Sequence, residues 1–186
     1  MTTLDELGHQ LLAVALLEGD FTLRSGKRSS WYLDKYRFET DPVLLRQLGE
    51  RLAAAVQHAE PDADRLAGPA LGAVALAASA AMASGRPFII VRDAAKGYGT
   101  GNRIEGAHEP GELVCLVEDV VTSGGALHEA VEAVREAGLV VRHAVCVVDR
   151  EEGGADALAR VGVRLASLYR AGDLLATRER RVNPHG

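Results

Sequence analysis

The sequence predicts an α/β protein: a twisted, mostly parallel sheet flanked by helices. From residue 65 onward, short continuous apolar runs (RLAGPA, PFIIVR, LVCLVED, VVRHAVCVVD, RLASLY) alternate with helical patterns (AVALAASAAMA, ALHEAVEAVREAG and a short one after Asp149). Runs that are apolar at every position fit strands buried on both faces, and strands separated by helices pair in parallel through crossovers. At 186 residues and 47% hydrophobic content the chain suits one domain with a sizeable core and is short for two. A single domain over residues 1–186 is therefore expected, with a small N-terminal element at about 18–40 and a core at about 41–175.

Element by element, Leu4, Leu7, Leu11, Val14 and Leu17 recur at helical spacing, and Gly19-Asp20 should end that helix in a turn. Residues 21–38 mix β-forming residues with a Ser/Gly turn and hold most of the aromatics of an aromatic-poor chain, which suggests a working surface. Asp41-Pro42 offers an N-cap and a first-turn proline to a helix running to about Ala59. After the EPDAD loop comes the strand and helix alternation. The tail RERRVNPHG is expected to be a solvated, mobile end.

A formal net charge of −5 and a pI near 5.7 argue against a protein that tracks nucleic-acid phosphates. No apolar run approaches bilayer length, and the acidic, amphipathic N-terminus lacks a basic n-region, so a cytoplasmic protein is expected. Cys115 and Cys146 lie within apolar runs and suit small buried hydrophobes in a reducing compartment. None of the six histidines forms a convincing ligand pair, and neither cysteine has a CxxC partner.

Ligands of parallel sheets bind beyond the carboxyl ends of the strands, here after Ala67, Val91, Asp119 and Asp149. VCLVEDVVTSGGALHEAV places two adjacent carboxylates, Glu118 and Asp119, at such an end, followed by a small-residue loop from Thr122 to Gly125 entering a helix. Backbone amides of the loop and the positive end of the helix dipole make a phosphate site, and Gly124 and Gly125 let the main chain approach closely. Thr122 and Ser123 add hydroxyl donors, while the carboxylates are placed to accept from a sugar diol or to hold Mg²⁺ through water. A generic glycine-rich turn with acids near a helix N-terminus is the plainer alternative.

The string LVEDVVTSGG is more specific: it closely resembles the phosphoribosyl-diphosphate signature of type I phosphoribosyltransferases. The resemblance implies ribose contacts for Glu118 and Asp119. It implies a 5-phosphate cradle from Thr122, Ser123, Gly124 and Gly125, and places Val120, Val121 and Ala126 among the substrate-binding residues.

Three further segments resemble the orotate branch of that family. FTLRSGKRSSWYLD resembles its N-terminal base-binding element, which puts Arg24, Ser25, Gly26 and the main chain near Tyr32 and Leu33 around the pyrimidine. LAGPALGAVALA resembles its diphosphate loop, giving Gly68, Leu71 and Gly72 that role. Gly72 stands where some members carry a lysine, and Ala73 and Ala75 depart from the usual glycine and proline. IIVRDAAKGYGTGNRIEG resembles the catalytic lid, residues 93–104, with Arg92, Lys96, Gly99, Ile104, Glu105 and Gly106 matching. Tyr98 replaces a common histidine. Asp93 replaces a usual lysine and sets a carboxylate beside a polyanionic ligand. Arg150, in VVDREEGG, resembles the branch's anchor for the orotate carboxylate, which suits a bidentate guanidinium; taken by itself, a surface arginine paired with Glu151 or Glu152 is the better reading.

The resemblance spans about Phe21 to Asp173 and implies the reaction of orotate with 5-phosphoribosyl 1-diphosphate to give orotidine 5-phosphate and diphosphate, in pyrimidine biosynthesis. It implies Mg²⁺ carried by the substrate, catalytic contributions from Arg92, Lys96, Tyr98 and Asp119, and a homodimer that shares the lid across its interface. A transferase for another base, or a non-catalytic sensor of the sugar diphosphate, are the alternatives. The acidic surface and the lack of a helix-turn-helix count against a DNA-binding sensor.

Overall fold

The computed structural model describes residues 2–22, 26, 28–93 and 103–182, with side chains to Thr177. Helix α1 (Leu4–Ala15) opens on a capping box in which Thr3 and Glu6 satisfy each other's amides, and its apolar stripe buries Leu7, Leu11, Leu12 and Ala15. Strands β1 (Leu16–Thr22) and β2 (Arg28–Leu33) form an antiparallel hairpin. Two expectations are corrected here. Leu17 pairs with Tyr32 in the hairpin instead of continuing the helix, and Gly19 and Asp20 lie inside β1, where the register shifts between Glu18 and Phe21. One apolar residue at helical spacing fits a strand equally well, so the boundary was set by the partner strand.

A short helix α2 (Lys35–Glu39), which pattern reading merged with the hairpin, buries Phe38 and Glu39. Helix α3 (Pro42–Ala59) starts as expected: Asp41 Oδ1 accepts from the amides of Val43 and Leu44, both at 2.9 Å.

The main sheet has the order β5-β4-β3-β6-β7-β8. Its strands are β3 (Arg65–Pro69), β4 (Phe88–Val91), β5 (Ile104–Glu105), β6 (Leu113–Val121), β7 (Val140–Asp149) and β8 (Arg164–Arg170). Every pairing is parallel except β4 with β5, an antiparallel edge inside the segment read as lid. Helices α4 (Ala73–Ser84), α5 (Gly125–Glu136) and α6 (Gly154–Arg160) make the crossovers. Strand β6 runs two residues beyond the expected Asp119, pairing Val120 with Val148 and Val121 with Asp149. Helix α7 (Ala171–Val182) runs into the tail expected to be mobile, so residues 178–182 are helical, and its apolar start is held by packing: Leu174 is 2% exposed and belongs to the same apolar layer as α1. Residues 183–186 lie outside those described.

Central strand β6 alternates across the sheet. Cys115 and Val117 face the layer formed with α1, α3, α4 and α7, while Val114 and Leu116 face the layer formed with α5 and α6. Both cysteines are fully buried and unbridged, one in each layer. Burial, with a smaller push from Glu60, raises the Cys115 thiol to about 12, which leaves it chemically inert. At the amino ends of the strands, Arg65 pairs with Glu112, and Arg142 and His143 both pair with the buried Glu60. Those charges are committed to stapling the fold.

Helices α3 and α4 pack closely because Gly49 has no side chain: a Cβ there would lie 2.1 Å from Ser79 Oγ and 2.8 Å from the Ser79 carbonyl carbon. Ser79 in turn donates to Leu45 O at 2.9 Å. Gly49→Val should destabilise the protein by about 1–3 kcal/mol through overpacking, measured by urea unfolding; an unchanged midpoint would contradict this close crossing.

Candidate active site

Strand β6 carries its carboxylates into the interior, with Glu118 6% and Asp119 2% exposed. Buried carboxylates need partners. Asp119 Oδ2 receives the Lys35 ammonium at 2.6 Å, Asp119 Oδ1 accepts from the Val120 amide, and Glu118 Oε1 accepts from the Asp119 amide at 3.0 Å. Glu39, at the end of α2, joins them; it is 4% exposed and its Oε1 is buried without a hydrogen-bond partner. Lys35 is thus drawn into a group of three carboxylates. Burial first, and then the charge of Asp119, push both Glu39 and Glu118 up to about 8. Burial disfavours the Lys35 ammonium, but the charge and hydrogen bond of Asp119 outweigh it and raise its pKa.

Beyond Val121 the chain turns at the surface. Thr122, Ser123 and Gly125 are exposed, Gly124 adopts a φ of 82°, and α5 begins at Gly125. The turn packs closely on α6: a Cβ on Gly154 would lie 2.6 Å from Thr122 O. The first-turn amides of α5 have no intrahelical acceptors, which leaves them, beside the exposed turn, as donors suited to an anion.

A second loop meets this one from β3. Gly68 and Pro69 are buried, the Ala70–Leu71 peptide is cis, Leu71 is 74% exposed, and Gly72 precedes α4. A Cβ on Gly72 would stand 2.1 Å from Asp119 Oδ2 and 2.4 Å from Lys35 Nζ. The glycine therefore lets the β3 loop touch the ion pair at the end of β6.

Arg150 follows β7, and its side chain is only 9% exposed. Its guanidinium lies 4.2 Å from the centroid of the Trp31 ring, and its Nε is 3.0 Å from Glu152 Oε1 without hydrogen-bond geometry. The expected pairing with a neighbouring glutamate exists, yet the side chain is turned inward against the hairpin. Tyr32 is 40% exposed and stacks at 5.6 Å on Phe21, while Leu33 is buried. Arg92 lies 3.6 Å from Glu105 and its amide donates to Arg103 O at 2.8 Å, tying together the two ends of the lid segment. Asp93 is exposed. Arg24, Ser25, Lys96, Tyr98 and Gly99 lie outside the described residues.

The structure thus brings Glu118, Asp119, the Thr122–Ala126 turn and Gly72 together, with Arg150 at the next strand end. Sequence reasoning missed Lys35, Glu39 and Trp31. For Trp31 a signal existed: with period two, Ser29, Trp31 and Leu33 share the inner face of β2, opposite Tyr32. For Lys35 and Glu39 there was none, since their partner is 84 positions away in the case of Lys35.

Glu39 and Glu118 have raised folded-state pKa values, so their stabilising contribution is full below the ordinary carboxylate range and is lost as pH rises through about 8. The ligand-free protein should lose stability between pH 6 and pH 9, and Glu39→Gln should remove about 1–3 kcal/mol of that loss. Denaturant midpoints at the two pH values measure it; equal slopes in both proteins would show that Glu39 is ionised throughout.

No protein-family model matches the chain. An orotate phosphoribosyltransferase of Methanocella arvoryzae is 50% identical over 157 residues, covering 84% of this chain and 88% of that protein. Among solved structures, the Leishmania donovani UMP synthase superposes with a TM-score of 0.85 at 30% identity; the match covers 96% of this chain but only 38% of that longer one. The Mycobacterium tuberculosis H37Rv orotate phosphoribosyltransferase in complex with 5-phospho-α-D-ribosyl 1-diphosphate superposes with a TM-score of 0.76 at 30% identity, over 92% of this chain and 98% of that one. With half of the aligned residues identical over most of both sequences, and the same fold, the chain belongs to the orotate phosphoribosyltransferase family.

Proposed function

We propose that this chain catalyses transfer of the 5-phosphoribosyl group from its 1-diphosphate to orotate, giving orotidine 5-phosphate and diphosphate, in pyrimidine nucleotide synthesis. The observation that carries the site assignment is the junction of three features at the carboxyl ends of β3 and β6: a buried acid pair, an exposed glycine turn opening α5, and a side-chain-free loop at Gly72. A sugar bearing phosphate at one end and diphosphate at the other matches that order of groups. In this reading the Thr122–Ala126 amides hold the 5-phosphate, Glu118 and Asp119 hold the ribose hydroxyls, and Gly68, Leu71 and Gly72 line the diphosphate.

Orotate, in the same reading, lies between the hairpin and the end of β7, where Arg150 meets its carboxylate and Arg24, Tyr32 and Leu33 line the ring. The inward set of Arg150 against Trp31 supports this, because stacking fixes the plane of the guanidinium for a bidentate partner. Departure of diphosphate leaves positive charge at the anomeric carbon, and the orotate ring nitrogen attacks the opposite face. The protein contributes positioning and stabilisation of the leaving group, for which Arg92, Lys96 and Tyr98 are assigned, and Asp119 faces the developing charge. Closure of the lid, residues 93–104, would exclude water from the activated sugar.

Mg²⁺ belongs to this reading as the counter-ion of the diphosphate. Glu118 and Asp119 offer the hard oxygen donors it prefers, directly or through water, and the ion would neutralise charge on the leaving group. A homodimer is supported by an apolar stripe at the N-terminal end and along α4: Leu71, Val74, Ala75, Ala78 and Met82, of which Leu71 is 74% and Met82 80% exposed. A second copy is the occupant proposed for it. Among the described residues no helix is long and apolar enough to cross a membrane.

The assay is loss of orotate absorbance in the presence of phosphoribosyl diphosphate and Mg²⁺. Turnover is expected with orotate and not with uracil, which lacks the carboxylate. Arg150→Ala should raise KM for orotate about 10- to 100-fold, the loss of a charge-assisted bidentate contact, with KM for the sugar diphosphate nearly unchanged. Thermal stabilisation by the sugar diphosphate without turnover would replace the enzyme with a sensor.

A further inference from the structure

Lys35 is the basic side chain bound to the acid at the end of β6, and neither the hairpin pattern nor the glycine turn accounts for it. Of the 21 basic residues in the chain only three are lysines: Lys27, Lys35 and Lys96. Lys27 falls in the segment assigned to the base, and Lys96 in the lid. The fold itself is stapled by arginines, at Arg65 and Arg142. A lysine differs from these in being a compact point charge with three donors on a flexible stem, able to change partners without a planar fork to satisfy.

The location of Lys35 is specific. Its ammonium touches Asp119 Oδ2 at 2.6 Å, and it lies so close to the Gly72 main chain that a Cβ on that glycine would be 2.4 Å from Nζ. It therefore stands where the acid end of β6 meets the bare loop leading into α4. Its side chain is 31% exposed, whereas Asp119 beneath it is 3% exposed, so the ammonium is the solvent-facing member of the pair. The adjoining loop offers no cation: Ala70, Leu71 and Gly72 are uncharged, and Asp93, on the neighbouring β4 loop, is acidic. A lysine side chain at position 72 would collide with the space that Lys35 already fills.

We propose that Lys35 is a substrate-binding cation for the diphosphate: it reaches from α2 to supply the positive charge that the loop around Gly72 lacks. The proposal rests on the transferase reading above. In the ligand-free protein Lys35 is docked on Asp119; with the sugar diphosphate bound, its remaining donors turn to diphosphate oxygens while Asp119 takes up the ribose hydroxyl. The same ammonium thus holds Asp119 in place before binding and offsets the negative charge of the ligand after it. In the ligand-free protein Asp119 outweighs burial and raises the Lys35 pKa, so the ammonium is charged before the ligand arrives.

The test compares two probes, inorganic diphosphate and ribose 5-phosphate, by calorimetric titration of the whole protein with Mg²⁺ present. Lys35→Met keeps the stem and removes the charge. It should weaken diphosphate binding about 10- to 100-fold, as loss of a contact between charged groups does, and weaken ribose 5-phosphate by much less. Equal losses for the two probes, or a greater loss for ribose 5-phosphate, would reduce Lys35 to a tie that orients Asp119 and overturn the proposal. A measurement on the unaltered protein guards against misfolding of the variant. With ¹³C-labelled lysine there are three side-chain ε signals to assign, using Lys27→Arg and Lys96→Arg. Diphosphate should shift that of Lys35, and an unmoved signal overturns the proposal whatever the variant does. If the unaltered protein turns over orotate while the Lys35 signal stays still, this inference alone fails; if it binds no diphosphate and turns over no orotate, the transferase reading fails and this inference with it.

Discussion

Two carboxylates at the end of a central strand, both nearly removed from water, impose the main constraint on this structure. A buried charge is expensive unless paired, and here the adjacent amide of Val120 and the distant ammonium of Lys35 on α2 supply the pairing, while a glycine lets the β3 loop close on them. Every element that meets at this point is fixed by it. Helix α2 must turn its first residue toward β6, the β3 loop must carry no side chain at position 72, and β6 must be fully covered on both faces below Glu118. Burial first, and then the neighbouring charge of Asp119, make Glu39 and Glu118 resist ionisation, with one ammonium among three carboxylates. A cationic ligand or a sugar hydroxyl arriving there would relieve it.

The opposite end of the sheet behaves differently, and the contrast locates the chemistry. Arg65 with Glu112, and Arg142 and His143 with Glu60, close the amino ends of the strands with complete pairs. Such pairs hold register and leave nothing over for a ligand. At the carboxyl ends the glycine turn is exposed, the first amides of α5 lack intrahelical acceptors, and Arg150 lies against an aromatic ring with an ionic contact to Glu152 that lacks hydrogen-bond geometry. The carboxyl ends of the strands are thus the end with exposed, uncommitted donors, which is where ligands of parallel α/β sheets bind.

Much of this was legible in the sequence because it depends on local rules. Continuous apolar runs gave five of the six main-sheet strands, Asp41-Pro42 gave the start of α3, and the two acids, two apolar residues and Thr-Ser-Gly-Gly gave the strand, turn and helix from β6 to α5. The parts that were not legible depend on contacts distant in sequence. Leu17 became a strand residue because Tyr32 was there to pair with it, and α7 begins before the charged tail, with Leu174 joining the apolar layer of α1. The two-residue strand β5 is too short to have a period of its own. Lys35 and Glu39 lie in a charged five-residue helix with no repeating pattern, and only the folded chain carries them to Asp119.

The claim on which the account rests is that the turn from Thr122 to Gly125 cradles a sugar phosphate while the acid pair beside it holds the sugar. Titration of ¹⁵N-labelled protein with ribose 5-phosphate tests it most directly, through the backbone amide resonances. The account predicts large, saturable shifts for Thr122, Ser123, Gly124 and Gly125, with smaller ones for Glu118 and Asp119 and little change at the amino ends of the strands. Saturable binding that leaves those four amides unmoved would contradict it.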